Sequence, residues 1–421
     1  MQMQAVGAVL GMVIVVHIVL EGAYLLRQIT DARIKSELRF ELLRQQIGAA
    51  RIQRLQSEQS RLCWNGYRKF VVDRKLRETA NVCSLYLVPH DRKPLPLFRA
   101  GQFLTFRLNV PGLEQPVVRC YTISSVPNEN YYRVTIKHVP NGTASGCLHE
   151  AINEGDILDV QAPRGNFCVE PASRGPLVLI AGGVGITPFL SIAGSIAESG
   201  SGREVLLFYA ARNGREQISN KKLRSLARTH KNIQFYVNYS NPTESDQPGR
   251  DFDFEGRISI DTLKKILPAN NYDFYLCGPP SMMESLVGDL QEWGVPSKNI
   301  FTEAFGSFSV QAVRKRKSGG TNGSNGNQTK KAAVAAAQMR VTFSKSRRSE
   351  IWDGSCEDLL SFADKAGIQI ESGCAAGSCG TCQTAIRSGN VKYSELPGFE
   401  CEERTCLPCV AAPDGDLVLD A

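Results

Sequence analysis

The chain has 421 residues, of which 42% are hydrophobic and 22% charged, enough for two or three globular domains with cores of their own. Its net charge is +7, and all of the excess lies in residues 1 to 77, which excludes a basic nucleic-acid-binding globular domain and points to a membrane surface. Thirteen cysteines, an odd number with no paired spacing outside the C-terminal region, exclude a disulfide framework and fit a reducing compartment.

Residues Ala5 to Leu20 form an apolar run that extends to Leu26 if Glu21 sits at the interface. Crossing the hydrocarbon core takes about 20 apolar residues, so residues 1–26 are expected to form a transmembrane anchor. A signal peptide would begin with positive charge, whereas here the charge follows the run. The positive-inside rule therefore places the N-terminus outside and the body of a single-pass membrane protein in the cytoplasm. Residues 27–66 are good helix formers without proline, and Ile34, Leu38, Leu42, Ile47 and Leu55 recur at loosely helical spacing. The spacing predicts a basic helical stalk lying near anionic lipid.

Residues 67–171 change to short runs rich in β-formers, such as FLTFRLNV, YRVTIKHV and DILDVQAP, separated by Gly, Pro and Asn. These predict a small antiparallel β-barrel. Within it come RCYTISS (residues 119–125), KHVPNGTASGCLHE (137–150) and PRGNF (163–167), in that order. Together they resemble the flavin domain of the ferredoxin-NADP reductase superfamily. The resemblance implies bound FAD, with FMN as the rival. It assigns the cofactor to Arg119, Tyr121, Thr122, Ser124, Lys137, Gly142, Thr143 and Ser145. The residue types make chemical sense. Arg119 offers a planar fork to phosphate and Tyr121 an aromatic face to the flavin. Thr122 offers a hydroxyl near the nitrogen where hydride arrives, and the GTAS stretch permits close approach to the pyrophosphate.

From residue 172 to 313 apolar runs alternate with helical stretches, which predicts an α/β domain with a parallel sheet. The first strand runs into Gly182-Gly183-Val184-Gly185-Ile186-Thr187-Pro188, and a later one ends at Cys277-Gly278-Pro279-Pro280. A GGxG alone is a weak sign, but the pair resembles the NAD(P) site of the same superfamily. That resemblance implies nucleotide contacts from Gly183, Gly185, Thr187, Pro188, Gly278 and Pro279, with Cys277 near the hydride-donating carbon. It also places Glu303 and Phe305 at the flavin edge. Thr122, Cys277 and Glu303 are the catalytic candidates. Arg212 is placed to meet a 2′-phosphate, yet NADH-using relatives carry a similar arginine, so both NADH and NADPH stay open, with NADH preferred.

Residues 314–339, rich in Gly, Asn, Ser and Lys, predict a flexible tether. Beyond it, Cys374, Cys379 and Cys382 stand in a C-x4-C-x2-C loop of small residues, followed 27 positions later by Cys409. This spacing is the plant-type [2Fe-2S] pattern rather than the paired C-x2-4-C of zinc sites. SGCAAGSCGTC and LPCVAAPDGDLVL make residues 340–421 resemble a plant-type ferredoxin domain, an α+β fold of the β-grasp kind. The resemblance makes Cys374, Cys379, Cys382 and Cys409 the metal ligands. Cys401, Cys406 and Cys409 repeat the same spacing, so Cys401 and Cys406 remain competitors.

The multidomain order resembles the reductase components of bacterial oxygenases. It implies a membrane-anchored NAD(P)H-dependent oxidoreductase that passes hydride-derived electrons through FAD to [2Fe-2S] and on to an unidentified acceptor, such as an oxygenase or desaturase in the same membrane. Two other readings stay open: an NADH-quinone type membrane dehydrogenase, and a membrane-tethered redox sensor.

Overall fold

The computed structural model describes Gly22 and residues 62–169, 175–303 and 339–421, except 376, 378, 394–396, 398 and 400. The expected anchor, most of the stalk, the tether and Phe305 lie outside the described residues. Among the described residues no helix is long and apolar enough to cross a membrane. The chain divides into two units, Met1–Leu62 and Cys63–Ala421, and the second holds a barrel, a parallel-sheet domain and a small C-terminal domain. Residues Cys63–Gly66, expected at the end of the stalk, are not helical. Trp64 instead packs against the first core, its Nε1 donating to the Val160 carbonyl at 3.0 Å.

Six strands build the first sheet: β1 (Arg68–Thr79), β2 (Val82–Pro89), β3 (Phe103–Leu108), β4 (Val117–Thr122), β5 (Tyr132–Lys137) and β6 (Ile157–Val160). They run in the order β4-β3-β6-β1-β2-β5, every pairing antiparallel. The Ile123–Val134 bridge and the 2.7 Å bond from Ser124 N to Arg133 O bring β5 back to the end of β4 and close the barrel. Leu85, Leu87, Leu104, Phe106, Val134 and Ile136 fill it at 0% exposure. Each such side chain contributes roughly 1.5–3 kcal/mol on burial.

The second sheet is parallel throughout: β7 (Leu177–Gly182), β8 (Val205–Ala211), β9 (Ile233–Tyr239), β10 (Phe254–Glu255), β11 (Asp273–Cys277) and β12 (Ile300–Glu303), in the order β10-β9-β8-β7-β11-β12. All six residues of β7 are buried, as a strand covered on both faces requires. Leu177 and Leu179 belong to one core, Val178 and Ile180 to the other. Helices α1 (Thr187–Ser199) and α2 (Asn220–Thr229) cover the first face through Phe189, Leu190, Ile192 and Leu223. On the other face, α3 (Ile260–Lys264) and α4 (Pro280–Glu292) supply Leu263, Met283, Leu286 and Leu290. The strand order reverses between β7 and β11, and open α/β sheets bind ligands at the carboxyl ends of the strands at such a point.

A buried ion pair within the barrel reaches the parallel-sheet domain through one serine. Arg133 Nη2 lies 2.6 Å from Glu78 Oε1, with side-chain exposures of 6% and 10%. Ser84 and, from the parallel-sheet domain, Ser219 add hydrogen bonds to it.

The third part contains β13 (Met339–Phe343), β14 (Arg348–Trp352), helix α5 (Leu359–Lys365), β15 (Thr384–Ser388), β16 (Val391–Tyr393), β17 (Thr405–Cys406), β18 (Ala411–Pro413) and β19 (Leu417–Leu419). Its mixed sheet runs β14-β13-β19-β15-β17, with β16 and β18 paired separately. Leu359, Phe362 and Ala363 of α5 pack on Val341, Phe343, Leu417 and Leu419. Met339, expected as the last tether residue, opens β13.

Candidate functional site

Period-two alternation along β4 decides which residues meet. Tyr121 is paired with Leu104 and Arg119 with Phe106, whereas Cys120 is paired with Thr105 and Thr122 with Phe103. Arg119 and Tyr121 thus share one face of the strand, and Cys120 and Thr122 the other. Arg119 is exposed and spends one donor on the Val118 carbonyl at 2.7 Å, leaving the rest of its fork available. Tyr121 rests edge-on against Phe106 with ring centroids 5.6 Å apart, and burial pushes its phenol well above the usual range.

The turn Thr143–Gly146, which holds most of the GTAS stretch, packs against β4, the strand that carries Arg119. Within it Ser145 Oγ accepts from Val139 N at 3.1 Å and donates to the Gly142 carbonyl at 3.3 Å, so its hydroxyl closes the turn, while Thr143 is exposed. Ser124 turns inward, bonded to Thr135 Oγ1 at 2.8 Å and to the Arg133 carbonyl. Lys137 is exposed at the end of β5. The free part of Arg119's fork, the Tyr121 ring and the buried, unpartnered Ser125 Oγ fit a flavin nucleotide.

The carboxyl ends of β7 and β11 meet directly. A Cβ on Gly185 would lie 2.2 Å from the Cys277 carbonyl oxygen, and one on Gly278 would lie 3.0 Å from Gly182 N. These two glycines are needed so that the two loops can touch each other. Gly183 is different: it stands at φ +55° with open space where a side chain would be, so its backbone is not crowded by neighbours. Thr187 is 2% exposed, and its hydroxyl donates to the Val184 carbonyl at 3.0 Å. Pro188 lies in the first turn of α1, and Pro279 immediately precedes α4. Arg212, after β8, pairs with Glu216 at 3.8 Å.

Cys277 and Glu303 are register partners on β11 and β12, and the Thr122 hydroxyl lies beside the Glu303 carboxyl. Three residues from three strands of two domains therefore converge. Burial pushes the Glu303 carboxyl up to about 8, against a smaller opposing effect of Thr122. Its Oε2 is buried without a partner, so the carboxyl holds its proton on an otherwise unpartnered group. Burial also keeps the Cys277 thiol protonated.

In the third part the four cysteines fall into two pairs. Cys379 Sγ accepts from Cys374 N at 3.4 Å and from Thr381 N at 3.5 Å. Cys382 Sγ lies 3.2 Å from Cys409 Sγ. Among the described residues no group of three or more His, Cys, Asp or Glu is poised around a single ion. Two thiol pairs with backbone donors aimed at sulfur suit a two-iron cluster, which takes four thiolates. Cys406, at 0% exposure, belongs to the core beside Phe343 and Leu419, whereas Cys401 lies against Tyr393. No disulfide joins any of the described cysteines.

This loop is seated on the barrel, a contact that sequence reasoning missed. Cys120 of β4 touches Cys379, and the Arg164 guanidinium lies 4.7 Å from the centre of the Phe399 ring. The signal for Cys120 was present in RCYT, where alternation places it opposite to Tyr121.

Residues 70–168 match the oxidoreductase FAD-binding domain, 179–287 the oxidoreductase NAD-binding domain, and 346–414 the 2Fe-2S iron-sulfur cluster binding domain. Fold, site and matches define an oxidoreductase of the ferredoxin-reductase type. A flavohemoprotein from Halalkalibacterium halodurans is 37% identical over 249 residues, 58% of this chain and 61% of that relative. The chain thus spans about three fifths of the length of the curated relatives it matches. The crystal structure of the flavohem-like FAD/NAD-binding domain of nitric oxide dioxygenase from Vibrio cholerae is 31% identical with a TM-score of 0.52, covering 57% of this chain and 100% of that one. Phthalate dioxygenase reductase, described as a modular structure for electron transfer from pyridine nucleotides to [2Fe-2S], is 25% identical with a TM-score of 0.51, covering 85% of this chain and 98% of that one. The chain carries FAD-binding, NAD-binding and C-terminal 2Fe-2S domains.

Proposed function

We propose that this chain is the electron-delivering reductase of a membrane oxygenase or desaturase. When bound, FAD takes hydride from the nicotinamide and the [2Fe-2S] cluster carries electrons one at a time. The residues supply position and protons. Arg119 and Thr143 hold phosphate, Tyr121 orients the ring system, and the β7 and β11 loops seat the nucleotide at Gly183. Thr122, Cys277 and Glu303 close the reacting space, with Glu303 holding a proton on its carboxyl and Thr122 fixing that carboxyl's direction. Cys374, Cys379, Cys382 and Cys409 hold the cluster. Arg212 shares its charge with Glu216, which favours NADH over NADPH.

The observation that carries the reading is the single strand β4. Two residues apart on one face, Thr122 touches Glu303 and Cys120 touches the cluster loop. The two residues are about 7 Å apart at 3.4 Å per residue, so one short stretch of strand links the reacting space to the cluster loop. Residues 5–26 anchor the chain in this proposal, with the catalytic domains in the cytoplasm beside a membrane-embedded acceptor.

Purified protein in detergent should show flavin and [2Fe-2S] absorbance and bleach with NADH in place of dithionite. It should reduce ferricyanide faster with NADH than with NADPH. Cofactor-loaded protein that neither nucleotide reduces would refute the reading, and extraction of the intact chain into the aqueous phase without detergent would refute the anchor.

A further inference from the structure

Cys120 belongs to the flavin domain, yet its thiol is spent on the iron-sulfur domain. Its Sγ is 3.4 Å from Thr105 Oγ1, its cross-strand partner, and it touches Cys379 on the other side. Gly373 shows how tight the contact is. A Cβ built there would lie 3.3 Å from Cys120 Sγ, 3.2 Å from Cys379 Sγ and 3.1 Å from Thr381 Oγ1, so a side chain there would make these neighbours give by a few tenths of an ångström.

A thiol has one S–H to give and accepts weakly. With the Thr105 hydroxyl able to donate to Cys120, the S–H of Cys120 is left for Cys379. A metal-bound thiolate is an acceptor only, so the proton between the two sulfurs resides on Cys120. The two backbone donors to Cys379, from Cys374 and Thr381, travel with the cluster loop wherever it goes. Cys120 is the donor that stays behind with the flavin.

We propose that Cys120 is a docking-dependent hydrogen-bond donor to the cluster ligand Cys379, so that the reduction potential of the [2Fe-2S] centre is higher when the iron-sulfur domain sits on β4 than when it leaves. Hydrogen bonds to ligand sulfur stabilise the reduced, more negative cluster and raise its potential. Seated on the barrel, the cluster is easier to reduce from the flavin; released, it loses one donor and becomes the stronger reductant toward an outside acceptor. Cys120 is a positioning residue that acts through Cys379. The proposal rests on the reading that Cys374, Cys379, Cys382 and Cys409 hold the cluster.

The test is a potentiometric titration of the full-length, cluster-loaded protein, following the cluster by EPR. Cys120→Ala and Cys120→Val both delete the donor, the second filling the space with a residue at home in a strand, so either suffices if the other does not accumulate. Each should lower the one-electron equilibrium constant for cluster reduction by about tenfold, a midpoint shift of about 59 mV. Cys120→Ser, which keeps a donor, should stay within about threefold of wild type, and so should Cys356→Ala, which removes a thiol elsewhere in the iron-sulfur domain. Phe399→Ala, which removes the ring under Arg164 and weakens the seat, should shift the potential in the same direction as Cys120→Ala. The double variant should go no further than the larger single shift. An unshifted Cys120→Ala or Cys120→Val, or an equal shift in Cys356→Ala, overturns the inference while leaving the proposed function standing. Wild-type protein without a [2Fe-2S] signal after iron and sulfide reconstitution overturns both.

Discussion

Replacing Glu303 by glutamine keeps the shape of the side chain and removes its titration. In the folded protein the carboxyl ionises only near 8, against an ordinary 4.5. At 1.36 kcal/mol per pH unit this difference amounts to about 4–5 kcal/mol. The sign follows from proton counts. Between 4.5 and 8 the folded state keeps a proton that the unfolded chain releases, so stability falls as pH rises through this window and levels off above it. Glutamine stays neutral throughout, and the Glu303→Gln protein should lack that part of the decline. Urea unfolding at pH 5, 7 and 9, read as the difference between the two proteins, measures it directly. A carbonyl infrared band that titrates near 8 in wild type and is absent from the variant provides an independent check. Equal pH slopes for the two proteins would refute the argument, since nothing but the buried carboxyl distinguishes them.

Gly185→Ala should abolish NADH reduction and lower soluble yield, because its Cβ would stand 2.2 Å from the Cys277 carbonyl; Gly183→Ala, with open space but φ +55°, should accumulate at about 1–2 kcal/mol cost and bind nucleotide more weakly in equilibrium titration. Arg133→Met leaves Glu78 buried and unpaired, and thermal unfolding should show a loss of about 3–5 kcal/mol. Cys409→Ser should eliminate the normal visible spectrum of the cluster, whereas Cys406→Ala should preserve it and cost only packing; a wild-type spectrum from Cys409→Ser would show that another cysteine completes the set.

What could be read from the sequence was what depends on local pattern. The alternating runs of the barrel, the fully apolar strands of the parallel sheet and the C-x4-C-x2-C loop each have a spacing that simple geometry imposes. What could not be read depends on contacts between distant segments. Gly185 was assigned to the nucleotide, yet the backbone it approaches is that of Cys277, more than ninety positions away. Ser124 and Ser145 were assigned to the cofactor because hydroxyls suit phosphate and flavin, but one bonds inside the barrel and the other closes its own turn. The Arg133–Glu78 pair left no sequence signal, since its partners stand on β5 and β1, which only their common pairing with β2 brings to the same place. The raised pKa of Glu303 was equally hidden, because burial of a carboxyl is a property of the assembled domains.

The six residues of β4 carry a consequence for insertions and deletions. Side chains change face with every step along a strand, so one extra residue between Val117 and Arg119 would exchange the roles of its two faces. Arg119 and Tyr121 would point where the neighbouring domains press, and Cys120 and Thr122 would turn away from Cys379 and Glu303. Such a lesion would preserve RCYT, GTAS, both glycine loops and all four cluster cysteines, and yet sever the entry and the exit of electrons together.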